Sequence, residues 1–337
     1  MAYCINFLTL FSLSAIASNG EVKGGGPYYL ISRSLGPEFG GSIGILFYLA
    51  QTLNSALNIV GLIDCIRLNV GPRFPSAYWA RYGFQTAALV ASTALCLLGS
   101  STFSRASYGL LIILSISVAS IPVSAIFKTP YHDHELGIHF TGFSIETLAD
   151  NFLPHTKSDA YAGLSSFREL FGILFPATAG ILAGASMSSE LRSPSKAIPK
   201  GTLWATLTTF IVYFVVVLSM ASSTTHISLL ANPNVIPLTN LSQPVIFAGE
   251  CAVTAYSALI GVKSSAGLFR ALARDKLLPG LAFFDKGVGS RDFPILSLLL
   301  TYAIAQIALL ADLNQIATLI SMGFQVMVDS LLVVGSC

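Results

Sequence analysis

Uncharged, largely apolar runs recur along this chain at residues 39–63, 82–104, 106–127, 170–189, 201–220 and 293–311. Each is close to or beyond the roughly 20 residues that a helix needs to cross the hydrocarbon core of a bilayer. Three weaker runs join them: residues 2–18, residues 244–269 with Glu250 and Lys263 inside, and residues 313–334 with Asp329 inside. The pattern predicts about nine spanning helices, because in lipid the chain must satisfy every backbone polar group internally.

Composition points the same way. With 53% hydrophobic and 10% charged residues and a mean hydropathy of +0.72, the chain is far more apolar than a soluble domain of its length requires. A net charge of +2 with no dense Lys/Arg run excludes nucleic acid as the main partner. The cysteines Cys4, Cys65, Cys96, Cys251 and Cys337 lie scattered in or beside apolar runs, without the paired spacing of a disulfide framework or a zinc site. Residues 2–18 lack the basic leader of a signal peptide, and the Asn19-Gly20-Glu21-Val22 sequence that follows is a poor cleavage site. They are read as a membrane helix.

Loop charges predict the orientation. Arg192, Lys196 and Lys200 follow one span and Arg270, Arg274, Lys276, Lys286 and Arg291 follow another, so both connections are expected on the cytoplasmic side. The alternate loops agree. Residues 128–169 carry Asp133, Glu135, Glu146, Asp150, Asp159 and Glu169 against Lys128, Lys157 and Arg168, and residues 221–243 carry no Lys or Arg. The loop holding Arg67, Arg73 and Arg81 is the exception, since alternation puts it outside. Counting back places Met1 outside as well, and one further helix before Met1 is the expected repair. An Asn-Leu-Ser sequon at Asn240 falls in an exterior loop, where it is a candidate glycosylation acceptor.

One apolar run carries residues that weaken a helix: "FPATAGILAGASMSSELRSPSKAIPKG" at residues 175–201. Pro176 removes a backbone donor, and Gly180 and Gly184 lower helix stability. Freed backbone at membrane depth must face protein or a water-filled cavity, and in transporters such broken helices bind ions near the midplane. The same Gly-x-x-x-Gly spacing is also that of a close-packing face between helices. Both readings stand on the pattern alone.

The segments "SNGEVKGGGPYYLISRSLGPEFGGSIGILFYLA" (18–50), "HFTGFSIETLADN" (139–151), "FPATAGILAGASMSSELRSPSKAIPKGTL" (175–203) and "GLFRALARDKLLPG" (267–280) resemble the cation-chloride cotransporters, a branch of the amino acid/polyamine/organocation superfamily. The likeness is greatest to the branch that holds the fungal vacuolar potassium-chloride cotransporter. It implies an all-α membrane protein with an inverted-repeat transporter fold and broken helices. The chain resembles helices two to ten of that family, a single transmembrane transporter domain over residues 1–337 from which the first helix, the last two and a cytoplasmic domain are expected to be absent.

The resemblance also implies ion sites. The family's cation site uses a Pro carbonyl, a Thr three residues later and a Tyr on helix three. These positions map to Pro176, Ala179 with Thr178 beside it, and Asn58, so an altered cation site is implied. The family's chloride-binding amides map to Gly180, Ile181 and Leu182. A second chloride contact, a Tyr on helix ten, maps to Val328. The paired Ser of sodium-coupled members maps to Tyr256 and Ser257, a vestigial sodium site whose bulky Tyr256 argues for potassium-chloride transport.

Other clusters read more plainly. Glu250 lies near the exterior end of its span, an interface position, and Lys263 lies deeper, where its side chain reaches toward the cytoplasmic surface. His132, His134, Glu135 and His139 lack the spacing of a zinc motif. The glycine run at residues 23–30 lacks the strand and helix of a phosphate loop and is read as a tight connection between helices. No nucleophile, base and orienting group assemble, so no enzyme is expected and no cofactor. The expected activity is electroneutral, sodium-independent potassium-chloride symport, with potassium, chloride and the bilayer as partners. By resemblance the chain is a homodimer in a vacuolar membrane. An amino acid permease and a non-transporting subunit that modulates a full-length cotransporter are the alternatives.

Overall fold

The long apolar runs form long helices. The computed structural model describes residues 2–18, 25–71, 74–75, 77–97, 100–133, 137–152, 171, 180–186, 188, 191, 193–232, 234–275, 281–285, 295–311 and 313–336. In chain order, α1 (Ala2–Ser18), α2 (Pro27–Leu35), α3 (Pro37–Val70), α4 (Tyr78–Leu97) and α5 (Ser100–Phe127) lead into a two-stranded hairpin, β1 (Tyr131–Asp133) and β2 (Ile138–Phe140). After it come α6 (Ile145–Phe152), a short α7 (Ile181–Ser186), the long α8 (Pro194–Ser223), and two brief helices, α9 (His226–Ala231) and α10 (Val235–Thr239). Helix α11 (Gln243–Arg274), a 3-10 turn at Leu281–Asp285, α12 (Ile295–Ala308) and α13 (Leu313–Ser336) complete the described chain.

Five stretches are long and apolar enough to cross a membrane: Pro37–Val70, Tyr108–Phe127, Pro194–Ser223, Gln243–Arg274 and Gln315–Gly335. Ala2–Ser18 and Ile295–Ala308 are apolar but shorter. Each predicted span coincides with a helix except residues 170–189, where Phe171 and α7 are helical and residues 172–179 lie outside the described set. The helices overrun the apolar runs. Helix α3 continues through Asp64 and Arg67, and Arg105 lies within α5 rather than between two helices. Charge ends an uncharged run, but it does not end a helix whose backbone bonds continue beyond the lipid.

Pro37 and Pro194 open α3 and α8 at the first turn, where the missing N–H costs nothing. The glycine-rich connection at 23–30 is more than a tight link. Pro27 starts a nine-residue helix, α2, which buries Tyr28, Leu30 and Ile31.

At the centre, α3 and α11 pack along their whole length, with α4, α5, α12 and α13 around them. Small residues permit the approach: a methyl group added at Gly323 on α13 would come within 2.7 Å of Ala50 on α3, and Gly261 on α11 lies directly against Ser55. Polar pairs fix the registers of the outer helices. Tyr48 and Thr301 share a hydrogen bond of 3.2 Å between α3 and α12, and Gln306 donates to Tyr82 Oη at 2.6 Å and Thr86 Oγ1 at 2.7 Å between α12 and α4.

Loops that charge alternation assigns to one side lie together. The hairpin pairs Tyr131 with Phe140, His132 with His139 and Asp133 with Ile138, and Thr141 N–H donates to the Ser223 carbonyl at 2.8 Å. Lys128 Nζ donates to the carbonyls of Leu238 (2.8 Å) and Asn240 (2.9 Å), over the ring of Tyr131. Burial holds the Lys128 ammonium below its ordinary pKa. The basic exception is largely neutralised, since Asp64 pairs with Arg81 at 3.1 Å and with Arg67 at 3.7 Å.

Candidate functional site

Gly180 forms a turn directly before α7. The far end of α7 is held by α2: a methyl group at Gly26 would run into the Ala185 carbonyl and come within 2.7 Å of Ser186 Cα. Gly26 also has φ +54, which residues with a side chain adopt only at a cost. On its other side α7 meets α8, where a methyl group at Gly184 would lie 3.3 Å from the Thr202 methyl. The Gly180/Gly184 spacing therefore serves close packing at Gly184, while Gly180 has nothing within 4 Å of where a side chain would begin.

That open side of Gly180 faces a cavity of about 650 Å³ between α1, α7 and α8. Its wall includes Gly180, Ile181 and Gly184 from α7, Tyr3 from α1, and Thr202, Thr206, Thr209 and Tyr213 from α8. The α8 residues recur at steps of three and four, so their hydroxyls form one stripe along a helix face. Thr202 Oγ1 donates to the Ile198 carbonyl at 2.6 Å and Thr209 Oγ1 donates to the Thr206 carbonyl at 3.0 Å. A hydroxyl whose proton is used in this way keeps lone pairs for a cation. The first amides of a helix lack intrahelical acceptors and suit an anion. The wall thus offers both oxygen acceptors and backbone donors.

The predicted site residues separate. Gly180 and Ile181 line the cavity, whereas Leu182 is 1% exposed and belongs to the hydrophobic core. Pro176, Thr178 and Ala179 lie outside the described residues. Asn58 is half-buried on α3, where its Nδ2 donates to the Asn54 carbonyl at 2.7 Å, and it is not part of the cavity wall. Tyr256 and Ser257 are half-buried on α11, with Tyr256 against the core, and neither lines the cavity. Val328 is buried in the core on α13. Asn240 is 5% exposed and its Nδ2 donates to Ser120 Oγ at 3.0 Å, so a glycan there would have to displace that contact.

The hydroxyl stripe escaped the sequence reading. Its signal was present: Thr202, Thr206, Thr209 and Tyr213 are the repeating hydroxyls of an otherwise apolar span. Of the histidine-rich loop, His132 and His139 form a cross-strand pair with ring centroids 4.9 Å apart, and His134 and Glu135 lie outside the described residues. Among the described residues, no three His, Cys, Asp or Glu side chains gather to hold a metal.

A helical membrane architecture with a cavity at a glycine-led helix start is compatible with several transporter families, and sequence similarity decides between them. A family model described as amino acid permease matches residues 1–328. The chain belongs to the amino acid permease family. Among its relatives, vacuolar cation-chloride cotransporter 1 of Saccharomyces cerevisiae is 44% identical over 340 residues, which cover 96% of this chain and 30% of the relative. Solute carrier family 12 member 9 of Homo sapiens is 35% identical over 355 residues, covering 97% of this chain and 38% of the relative. The zebrafish (Danio rerio) protein of the same name is 34% identical, covering 95% of this chain and 38% of the relative. The chain therefore spans about a third of the length of the curated relatives it matches. This permease-family chain is a multi-pass membrane protein whose relatives are transporters rather than enzymes, and the cation-chloride cotransporters are among them.

Proposed function

We propose that this chain forms the ion-binding part of a secondary active transporter that moves potassium and chloride together, electroneutrally and without sodium. The observation that carries the reading is the cavity in which the Gly180 and Ile181 backbone faces the hydroxyl stripe of Thr202, Thr206, Thr209 and Tyr213. Chloride is held by the amides at Gly180 and Ile181. Potassium is held by oxygen atoms, with Pro176 and Thr178 supplying ligands from the segment before Gly180. Tyr256, standing where sodium-coupled members have Ser, supports sodium independence. Residues 1–337 act as one transporter domain, and the name of the yeast relative supports a vacuolar membrane. A homodimer is part of the same reading.

Flux into proteoliposomes holding the full chain tests it. Chloride-dependent rubidium uptake that is unchanged by sodium is the expected result. Amino acid uptake in its place would establish an amino acid permease, the reading favoured by the description of the matching family model. No uptake, together with altered flux through a co-expressed full-length cotransporter, would establish a modulating subunit and overturn the transport assignment.

A further inference from the structure

Helices α3 and α11 run antiparallel in one continuous register. A methyl group at Gly44 would come within 2.8 Å of Leu272, the Tyr48 and Phe269 rings lie 4.7 Å apart, Ser55 meets Gly261, and a methyl at Gly61 would sit 3.8 Å from Thr254. Each step along α3 is matched by an equal step back along α11. The register ends where Cys65 meets Glu250 and Cys251. Cys65 Sγ donates to Glu250 Oε2 at 3.1 Å and lies 3.9 Å from Cys251 Sγ.

We propose that Cys65 and Cys251 are an oxidative modification site, forming a reversible disulfide that ties α3 to α11 at one end of their shared length. A disulfide needs its sulfurs about 2.05 Å apart. The remaining gap of about 2 Å is within the sweep of two Sγ atoms about their Cα–Cβ bonds, so the helix register is retained. The other described cysteines are placed differently. Cys96 Sγ donates to the Leu259 carbonyl at 3.7 Å, and Cys4 is exposed on α1.

The oxidant is a peroxide. Glu250 takes the Cys65 thiol proton, and the thiolate sulfur attacks one peroxide oxygen as the O–O bond breaks. This leaves a sulfenic acid on Cys65 and, once the proton is returned, one water. The Cys251 sulfur then attacks the Cys65 sulfur: the S–S bond forms, the S–O bond breaks, and the Cys251 proton leaves with the hydroxyl as a second water. Two thiols are oxidised and one hydrogen peroxide is reduced to two waters.

The full chain in detergent or nanodiscs is treated with hydrogen peroxide, its remaining thiols are alkylated, and the digest is examined by mass spectrometry. The expected product is a Cys65–Cys251 linked peptide that dithiothreitol removes, with loss of two free thiols and a higher thermal midpoint. C65S and C251S each abolish that peptide, and E250Q slows its formation by at least about tenfold. Because the product is read in the unaltered chain, misfolding of a variant leaves the test intact. Full alkylation of both cysteines after peroxide, or conversion of Cys65 to sulfinic acid without linkage, would overturn the proposal. An E250Q rate equal to that of the unaltered chain would remove Glu250 from the chemistry.

Discussion

The hydroxyl of Tyr28 donates to Asp275 Oδ2 at 2.5 Å, joining the surface helix α2 to the last turn of α11 across 247 residues of chain. Through Gly26 the same helix abuts the end of α7, so one small helix touches both the wall of the cavity and the central helix pair.

Replacing Tyr28 with Phe keeps the buried ring and removes the hydroxyl, so Y28F should lower stability by about 1 kcal/mol, read as a lower thermal midpoint in micelles. The contact also has a pH signature. Burial, and then the hydrogen bond and charge of Asp275, hold the Tyr28 phenol above its ordinary value of 10.0. The folded chain keeps a proton that the unfolded chain releases. This stabilisation is complete below about pH 10 and is lost as the pH rises through the raised value. In an alkaline titration read by tyrosinate absorbance, one late component should vanish in Y28F and move toward the ordinary range in D275N.

Two glycines should respond oppositely to alanine. G26A forces a side chain into a left-handed backbone and against the Ala185 carbonyl, and should cost at least about 2 kcal/mol. G83A, on the exposed face of α4 with nothing within 4 Å, should stabilise by about 0.5–1 kcal/mol. Thermal midpoints and size-exclusion profiles of the two variants check the pair. A G26A midpoint equal to wild type would show that α2 does not clamp α7.

The hydroxyl stripe is tested by swapping oxygen for methyl at constant shape. Thr202 and Thr206 are 8% and 4% exposed. The T202V/T206V chain should retain its helical circular dichroism and lose chloride-dependent rubidium uptake by at least about tenfold, or about 1.4 kcal/mol. Uptake that survives unchanged would remove the stripe from the ion path.

Asp64 partners two arginines at a partly exposed site. D64N should therefore cost less than about 1 kcal/mol, and the difference should shrink near 1 M salt, where the screening length falls to about 3 Å. A cost several times larger, insensitive to salt, would show that this cluster is structural rather than a neutralised surface.

Much of the helical framework was legible in advance. The apolar runs located α1, α3, α8, α11, α12 and α13, and loop charge grouped the segments that the structure brings together around the hairpin. Helix ends were less legible, because Asp64 and Arg67 interrupt an apolar run without interrupting a backbone. The candidate site was half visible: Gly180 and Ile181 stand in the cavity wall, but Asn58, Tyr256 and Ser257 stand apart from it. Family position alone carried those residues, and the α8 hydroxyls were read only as part of an apolar span.

By itself the sequence determined that this chain crosses a membrane as many helices. That outcome is local, since any run of about 20 apolar residues meets the demand that lipid places on a backbone. Only the tertiary structure decided which residues share a site. Tyr28 meets Asp275, and Cys65 meets Cys251 and Glu250, at separations of 247, 186 and 185 residues. Such pairings follow from helix register and from the small residues that let helices approach. No periodicity within a single span encodes them.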